Sequence, residues 1–234
     1  MAPNLWAAAG PAGTVVDMRV TIFGGHGHVA LLLAPLLVEA GHDVQSVIRN
    51  PDHVDDVAAT GATPVVSSVE SAGTPELTSL LEVQDAVVWS AGAGGGDPTR
   101  TMAVDRDGAI RSMEAAEAAG VLRYVMVSFS GAFPEFLVGA DDPFRPYMDA
   151  KIAADEHLRA SGLDWTILAP GPLTFDPGHG TVNPSAARGE GDTAPRELVA
   201  QVAAAVIDDA RASRRTLVVG EGDVPIDEWL GSMG

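Results

Sequence analysis

The chain has 234 residues, no cysteine and a formal net charge of −18, which is consistent with one domain built around a single sizeable core. The absence of cysteine excludes disulfides, thiolate metal ligands and cysteine nucleophiles, and no apolar run approaches the length of a membrane span. The acidic balance argues against nucleic acid or an anionic membrane as a partner, because both attract positive patches. These features predict a soluble, cytoplasmic protein.

Residues 1–17 are rich in alanine, glycine and proline and precede the first apolar run. They lack the charged start and long apolar middle of a secretory signal, so we expect a disordered N-terminal extension. Residues 18–234 are expected to form one domain.

Beyond the extension, short apolar runs alternate with helical stretches, a pattern typical of parallel strands joined by crossover helices. Strands are predicted at 19–23, 42–48, 63–66, 85–89, 123–127, 165–168 and 216–219. Helices are predicted at 27–40, 51–60, 75–81, 101–119, 147–160 and 195–209. This order predicts an α/β fold, a Rossmann-type doubly wound parallel sheet in a single domain with a short C-terminal extension on the substrate side. Ligands of such sheets bind at the carboxyl ends of the strands, where loops 129–146 and 170–194 are expected to close a substrate pocket.

The first strand runs directly into a glycine-rich turn, in the string VTIFGGHGHVA at 20–30. Glycine accepts the backbone angles of a tight turn and lets main-chain N–H groups approach a phosphate, while the following helix points its positive end at the same place. The spacing is G-x-x-G-x-x-A rather than the strict G-x-G-x-x-G. We predict that this turn holds the pyrophosphate of a dinucleotide, with contacts from Gly24, Gly25, His26, Gly27, His28 and Val29. For the two histidines, a solvent-exposed position without a ligand contact is the alternative.

Arg49 follows the second predicted strand, and Asn50 comes next. An acidic residue near this position binds the ribose 2′-hydroxyl of NAD, whereas an arginine can bind the 2′-phosphate of NADP. The sequence therefore favours NADP(H) over NAD(H). The alternative is a solvated arginine at the end of a strand.

Tyr147 and Lys151 form a Y-x-x-x-K pair on one face of a predicted helix, and Lys151 is the only lysine in the chain. A lysine beside a tyrosine lowers the pKa of the phenol, which can then exchange a proton with a carbonyl or alcohol. Ser128, at the end of the fifth strand, is a candidate to hold the substrate oxygen. These three residues are the predicted catalytic set, and a surface pair on a helix is the alternative for Tyr147 and Lys151.

Two acidic features are weaker candidates. Asp105, on the helix predicted at 101–119, is either a structural anchor near the cofactor or a surface acid. Asp141 and Asp142 are adjacent, but no third ligand accompanies them at a suitable spacing. We therefore predict no metal site.

Several strings, in the right order, resemble the atypical short-chain dehydrogenase/reductases, specifically the NmrA-like, NAD(P)H-binding group that includes flavin and biliverdin reductase-like proteins. The strings are GGHGHVA at 24–30, VIRNP at 47–51, DAVV at 85–88, VDRDG at 104–108, GVLRYVMVS at 120–128, the segment 147–155, and SGLDWTILAPGPLT at 161–174. The resemblance extends from about 18 to 229.

The resemblance implies an NADP-type cofactor with Gly24, Gly27 and Arg49 around its phosphates. Ser128, Tyr147 and Lys151 align with the reductase active-site trio, and Lys151 also contacts the nicotinamide ribose. The further cofactor contacts that it implies lie in loops after two strands, at Ser90, Ala91, Gly92, Pro170 and Gly171. Ser68 and Ala169 depart from the family pattern, where an acidic residue and an arginine are usual.

These observations favour an NADPH-dependent oxidoreductase that transfers hydride to a small carbonyl or conjugated substrate. The alternatives are a non-catalytic NADP(H)-binding redox sensor or regulatory protein, a flavin reductase, and a sugar-nucleotide epimerase-like enzyme. The expected partner is a small-molecule substrate, and the oligomeric state, monomer or homodimer, stays open.

Overall fold

The computed structural model describes residues 17–95, 97–189 and 192–234. The strands are β1 (Arg19–Phe23), β2 (Asp43–Ile48), β3 (Thr63–Val66), β4 (Ala86–Trp89), β5 (Arg123–Val127), β6 (Asp164–Pro170), β7 (Leu173–Thr174), β8 (Thr181–Val182), β9 (Ala194–Pro195), β10 (Arg215–Val219) and β11 (Val224–Pro225). The helices are α1 (His28–Glu39), α2 (Val54–Ala58), α3 (Thr74–Leu81), α4 (Pro98–Thr101), α5 (Ala109–Ala119), α6 (Arg145–Ala160), α7 (Arg196–Val206) and α8 (Ile226–Gly231).

Seven strands form one parallel sheet in the order β10-β6-β5-β4-β1-β2-β3. The predicted Rossmann-type sheet is confirmed, and each predicted strand lies within two residues of its position in the structure. The strand order reverses direction at β1, whose neighbours are β2 and β4. The loops after β1 and β4 therefore diverge and leave a crevice at the carboxyl edge of the sheet.

Helices cover both faces of the sheet, which explains the continuous apolar runs of the central strands. All four residues of β4 are buried, as are all residues of β1 except Arg19. On one face, α1 and α7 pack through side chains such as Leu33 and Val202. On the other face, α3, α5 and α6 contribute side chains to a second cluster around Trp89 and Met113.

The helix predicted at 101–119 differs in detail from the structure. It begins earlier, with α4, where the Asp97 side chain accepts a hydrogen bond from Thr99 N at 2.9 Å. A π-helical turn, Met102–Gly108, then joins α4 to α5. Asp105 lies within this wider turn and accepts a hydrogen bond from Ala93 N at 3.0 Å. The turn thus directs a carboxylate toward the loop that follows β4.

Two further predicted segments are the loop at 170–194 and the N-terminal extension. The loop predicted at 170–194 contains the short strands β7, β8 and part of β9. The predicted N-terminal extension lies outside the described residues, apart from Asp17. Within the described ranges, no helix combines the length and the apolar character that crossing a bilayer requires.

Candidate functional site

A cavity of about 240 Å³ opens at the carboxyl ends of β1, β2 and β4. It lies in the crevice where the strand order reverses, the usual place for a ligand in a doubly wound sheet. Eight residues predicted from the sequence line it, namely Gly24, His26, Gly27, Arg49, Asn50, Ser90, Ala91 and Gly92. The remaining wall comes from the end of β2, the loop after β3, and the α4 region, through Val47, Ile48, His53, Ser67, Ser68, Val69, Glu70, Arg100 and Val104.

The glycine turn packs closely against neighbouring main chain. Gly24 has φ +82°, and a Cβ at this position would lie 2.5 Å from Ala91 Cα. The N–H groups of Gly24 and Gly25 both donate to Val47 O, at 3.2 and 2.9 Å. The turn is thereby fixed between the end of β2 and the loop after β4, and only glycine fits at position 24 without backbone movement.

The N-terminus of α1 faces the same region. Its N-cap is Gly27, which has no side chain that could accept hydrogen bonds from the first amides of the helix. Free amides and the helix dipole at such a terminus favour an anion. A backbone that only glycine fits, followed by an uncapped twelve-residue helix, is suited to the diphosphate of a dinucleotide.

Charged side chains surround the adjoining part of the cavity. Glu70 Oε1 accepts hydrogen bonds from Arg49 Nη1 at 3.0 Å and from Arg100 Nε at 2.5 Å. The His26 ring stacks on His53 with centroids 3.5 Å apart, and His26 Nε2 lies 2.9 Å from Asp56 Oδ2. Two arginines face one carboxylate, so this wall favours an anion in a chain whose overall charge is −18.

The other residues predicted for the cofactor lie outside this cavity. Gly25 packs against Ser46, and the ring edge of His28 contacts Phe175, with centroids 5.1 Å apart. Val29 is buried in the core beneath α1. Pro170 ends β6, and the following glycine, Gly171, donates to Val219 O at 3.3 Å and packs against Asp192 O.

The predicted catalytic residues lie at the end of β5 and on α6. The Ser128 hydroxyl donates to Asp155 Oδ2 at 2.7 Å. Lys151 Nζ donates to Val127 O at 3.0 Å. The Tyr147 ring is half-buried against Phe129 and Phe144, with centroid distances of 5.2 and 5.1 Å. The structure thus brings the three residues to one edge of the sheet, and Ser128 and Lys151 make their hydrogen bonds to groups outside this set.

Three buried charges form the interior of this region. Lys151 is 2 % exposed, Asp105 is 3 % exposed and Asp155 is 1 % exposed. Burial raises the pKa of both carboxyl groups, and the Lys151 charge opposes this rise. Asp155 Oδ1 has no hydrogen-bond partner in the described chain. Lys151 is therefore a buried cation that acts on both carboxylates, and Arg159 Nη2 lies 3.8 Å from Asp155 Oδ2 as a second cation.

The expectation that Lys151 lowers the pKa of Tyr147 is wrong for this arrangement. The pKa of Tyr147 lies well above its usual value, because the phenol is buried and because Asp105 and Asp155 repel a phenolate. The phenol therefore stays a hydrogen-bond donor at neutral pH.

Four charged residues of the cavity and of the buried cluster were not among the site residues predicted from the sequence. Glu70 follows β3 and Arg100 follows β4, both at the carboxyl edge of the sheet. Their position after a strand could have indicated a place beside the cavity. Asp155 lies four residues after Lys151, the spacing that places both side chains on one helix face. For Asp105, the structural-anchor interpretation agrees with its burial and its bond to Ala93 N. Among the described residues, no group of three or more His, Asp or Glu side chains could hold a metal ion.

Comparison with known proteins gives consistent relatives. A family model described as NAD(P)H-binding matches residues 24–210. The Bacillus subtilis (strain 168) protein "Uncharacterized sugar epimerase YhfK" is 35% identical over 217 residues, which cover 91% of this chain and 99% of the relative.

Two solved structures share the fold over nearly the same length. A Bacillus halodurans protein described as a candidate NAD-dependent epimerase/dehydratase is 32% identical with a TM-score of 0.83, covering 92% of this chain and 99% of that chain. The oxidoreductase ylbE from Lactococcus lactis is 27% identical with a TM-score of 0.80, covering 92% and 96%.

Proposed function

Because the chain belongs to the NAD(P)H-binding family, we propose that it is an NADP(H)-dependent oxidoreductase of the short-chain dehydrogenase/reductase type, acting on a small carbonyl or conjugated substrate. The observation that carries this proposal is the cavity in which the glycine turn, the α1 N-terminus and two arginines converge. In this proposal the diphosphate packs against the turn and accepts hydrogen bonds from the first amides of α1. Arg49, at the end of β2, binds the ribose 2′-phosphate.

The chemistry is assigned to the edge formed by β5 and α6. When bound, NADPH supplies a hydride at its nicotinamide ring. Reduction of a carbonyl also requires a proton at the substrate oxygen, and we assign its donation to the Tyr147 hydroxyl. The phenol carries its proton at neutral pH, as a donor requires, but its raised pKa makes it a weaker acid than a free tyrosine. The Ser128 hydroxyl donates its hydrogen bond to Asp155, so its oxygen can accept one from the alcohol that reduction forms.

A flavin or another planar conjugated acceptor is a second candidate substrate. Phe129, Phe144 and Tyr147 form an aromatic cluster, with Phe144 partly exposed at 47%. Such a cluster suits stacking of a planar ring. Hydride transfer to a flavin has no need of the Tyr147 hydroxyl, so the two candidates differ in their dependence on it.

The cofactor assignment is tested by titrating the protein with NADPH and NADH while following nucleotide fluorescence. We expect NADPH to bind more tightly, and Arg49→Ala to weaken NADPH binding about tenfold without affecting NADH, because a charged hydrogen bond is lost. Arg215→Ala, at the far edge of the sheet, is the control for loss of one positive charge and should change neither affinity. Equal effects of Arg49→Ala on both nucleotides would contradict the NADP(H) assignment.

The reaction is tested with NADPH, a panel of aldehydes and ketones, and FMN. Loss of carbonyl reduction in Tyr147→Phe, with NADPH binding retained, supports the proton-donor role. FMN reduction that survives Tyr147→Phe supports the second candidate. NADPH binding without turnover of any substrate would contradict the enzyme proposal and leave the NADP(H)-binding sensor.

A further inference from the structure

The Glu70 side chain stands between two arginines on the wall of the cofactor cavity. Its Oε1 atom accepts hydrogen bonds from Arg49 Nη1 and Arg100 Nε, at 3.0 and 2.5 Å. Both guanidinium groups thus direct donors at one anionic oxygen. Arg49 is also the residue to which the 2′-phosphate of NADP(H) is assigned, so the carboxylate and the phosphate would accept hydrogen bonds from the same guanidinium group.

We propose that Glu70 is an internal competitor of the ribose 2′-phosphate and thereby a determinant of cofactor specificity. The proposal rests on the proposed function, since it requires the cavity to take the adenosine end of a dinucleotide. In the free protein, the carboxylate occupies the anion position between Arg49 and Arg100. A 2′-phosphate must displace it, whereas a 2′-hydroxyl carries no charge that would compete.

The surroundings allow the Glu70 side chain to move while its backbone stays in place. Its side chain is 28% exposed and that of Arg49 is 55% exposed, so both groups reach solvent and can separate. Arg111 donates to Val69 O at 2.6 Å and to Ala72 O at 3.1 Å, which fixes the main chain on both sides of Glu70. Displacement therefore requires rotation of one side chain and no rearrangement of the loop.

The competition lowers NADPH affinity by a moderate factor. Ion pairs between partly exposed side chains are weak, because solvent screens them and because ordering the side chains costs entropy. Removing the Glu70 charge should tighten NADPH binding by about three- to tenfold, an effect that shrinks at high salt. NADH binding should change by less than about twofold, because NADH has no 2′-phosphate for Arg49 and Arg100 to bind.

The test compares Glu70→Gln with Glu82→Gln, an exposed residue outside the cavity that loses the same charge. Dissociation constants for NADPH and NADH are measured for both variants and the wild type at low and high salt. We expect Glu70→Gln to bind NADPH more tightly than the wild type and Glu82→Gln to bind it equally. In the Arg49→Ala background, we expect Glu70→Gln to give no gain in NADPH affinity over Arg49→Ala.

Three results would overturn the proposal. Weaker NADPH binding by Glu70→Gln would mean that Glu70 holds the arginines in place, and weaker NADH binding would mean that it binds the 2′-hydroxyl. Unchanged affinities would mean that no competition occurs. Each of these results, obtained with a wild type that prefers NADPH, leaves the proposed function intact. Failure of the proposed function appears separately, as a wild type that binds neither nucleotide.

Discussion

The cofactor cavity and the buried cluster at β5 and α6 use charge in opposite ways. In the cavity, the first amides of α1 have no side-chain cap, and partly exposed side chains such as Arg49 and Glu70 supply charge. In the cluster, Lys151, Asp105 and Asp155 are almost fully buried, and the lysine charge acts on both carboxyl groups. The charges of the cavity reach solvent, whereas those of the cluster interact with one another in the interior.

This difference has energetic consequences. An ion pair between exposed side chains contributes up to about 1 kcal/mol to the free energy of unfolding. Removing one partner of a buried set leaves an unpaired charge in the interior, which costs about 3–5 kcal/mol. Substitutions in the cluster should therefore act on stability, and substitutions of charged residues in the cavity should act on nucleotide binding.

The largest effect is expected from Lys151→Met, which keeps the approximate length of the side chain and removes the buried cation that acts on both Asp105 and Asp155. We expect a loss of about 3–5 kcal/mol in the free energy of unfolding at pH 7, measured by urea denaturation. Without the lysine, the pKa values of Asp105 and Asp155 rise further in the folded chain. The variant should therefore be closest to wild type at acidic pH and lose stability as the pH rises.

Arg145→Met on the same helix is the matched control for that experiment. Its ion pair with Asp149 is partly exposed, so the loss should be about 1 kcal/mol or less. Equal losses for Lys151→Met and Arg145→Met would contradict the distinction between a buried cluster and an exposed pair.

A smaller effect is expected from Gly24→Ala in the cofactor cavity. The new Cβ would lie 2.5 Å from Ala91 Cα, and the residue would keep a left-handed backbone, so we expect a loss of about 2–4 kcal/mol. Gly94→Ala has the same backbone strain, with φ +80°, but no atom within 4 Å of the new Cβ. It should lose only about 1 kcal/mol. Thermal unfolding of both variants measures the difference, and similar losses would exclude close packing as the reason for glycine at position 24.

The smallest effect is expected from Asp155→Asn, measured as the pH dependence of its free energy of unfolding relative to wild type. Burial raises the pKa of Asp155 in the folded chain, so its contribution is most favourable below the unfolded pKa of about 3.9 and is lost as the pH rises through the folded pKa. The variant should therefore gain about 1 kcal/mol relative to wild type between acidic and neutral pH.

Asp85→Asn provides the opposite trend as a control. Hydrogen bonds from Arg19 lower the pKa of Asp85, so this carboxylate stabilises the fold above its unfolded pKa and stops doing so as the pH falls. Relative to wild type, Asp85→Asn should lose stability as the pH rises, whereas Asp155→Asn should gain it. Parallel pH profiles for the two variants would contradict the assigned cause.

The fold and much of the cofactor cavity could be predicted from the sequence. The strands are short apolar runs separated by turn residues, and the glycines of the first turn follow β1 directly. Arg49 follows β2 immediately, so its place at the sheet edge follows from the strand assignment. These features can be predicted because each depends on a few neighbouring residues in the sequence.

The buried cluster could not be predicted in the same way, because its members come from two elements that are distant in sequence, the π-helical turn and α6. Asp105 enters it through the π-helical turn, a local change of helix geometry that the apolar spacing of 101–119 did not indicate. The environment of Tyr147 likewise depends on two carboxylates from different helices, so its raised pKa is a product of tertiary structure. The Y-x-x-x-K spacing indicates a helix face and gives no information on what faces it.

A crystal structure of the protein with NADPH tests the central claim most directly. The account predicts the diphosphate beside the Gly24–Gly27 turn at the N-terminus of α1, and the 2′-phosphate within hydrogen-bond distance of Arg49, with Glu70 rotated away. Nucleotide bound elsewhere on the chain, or a 2′-phosphate remote from Arg49, would contradict it.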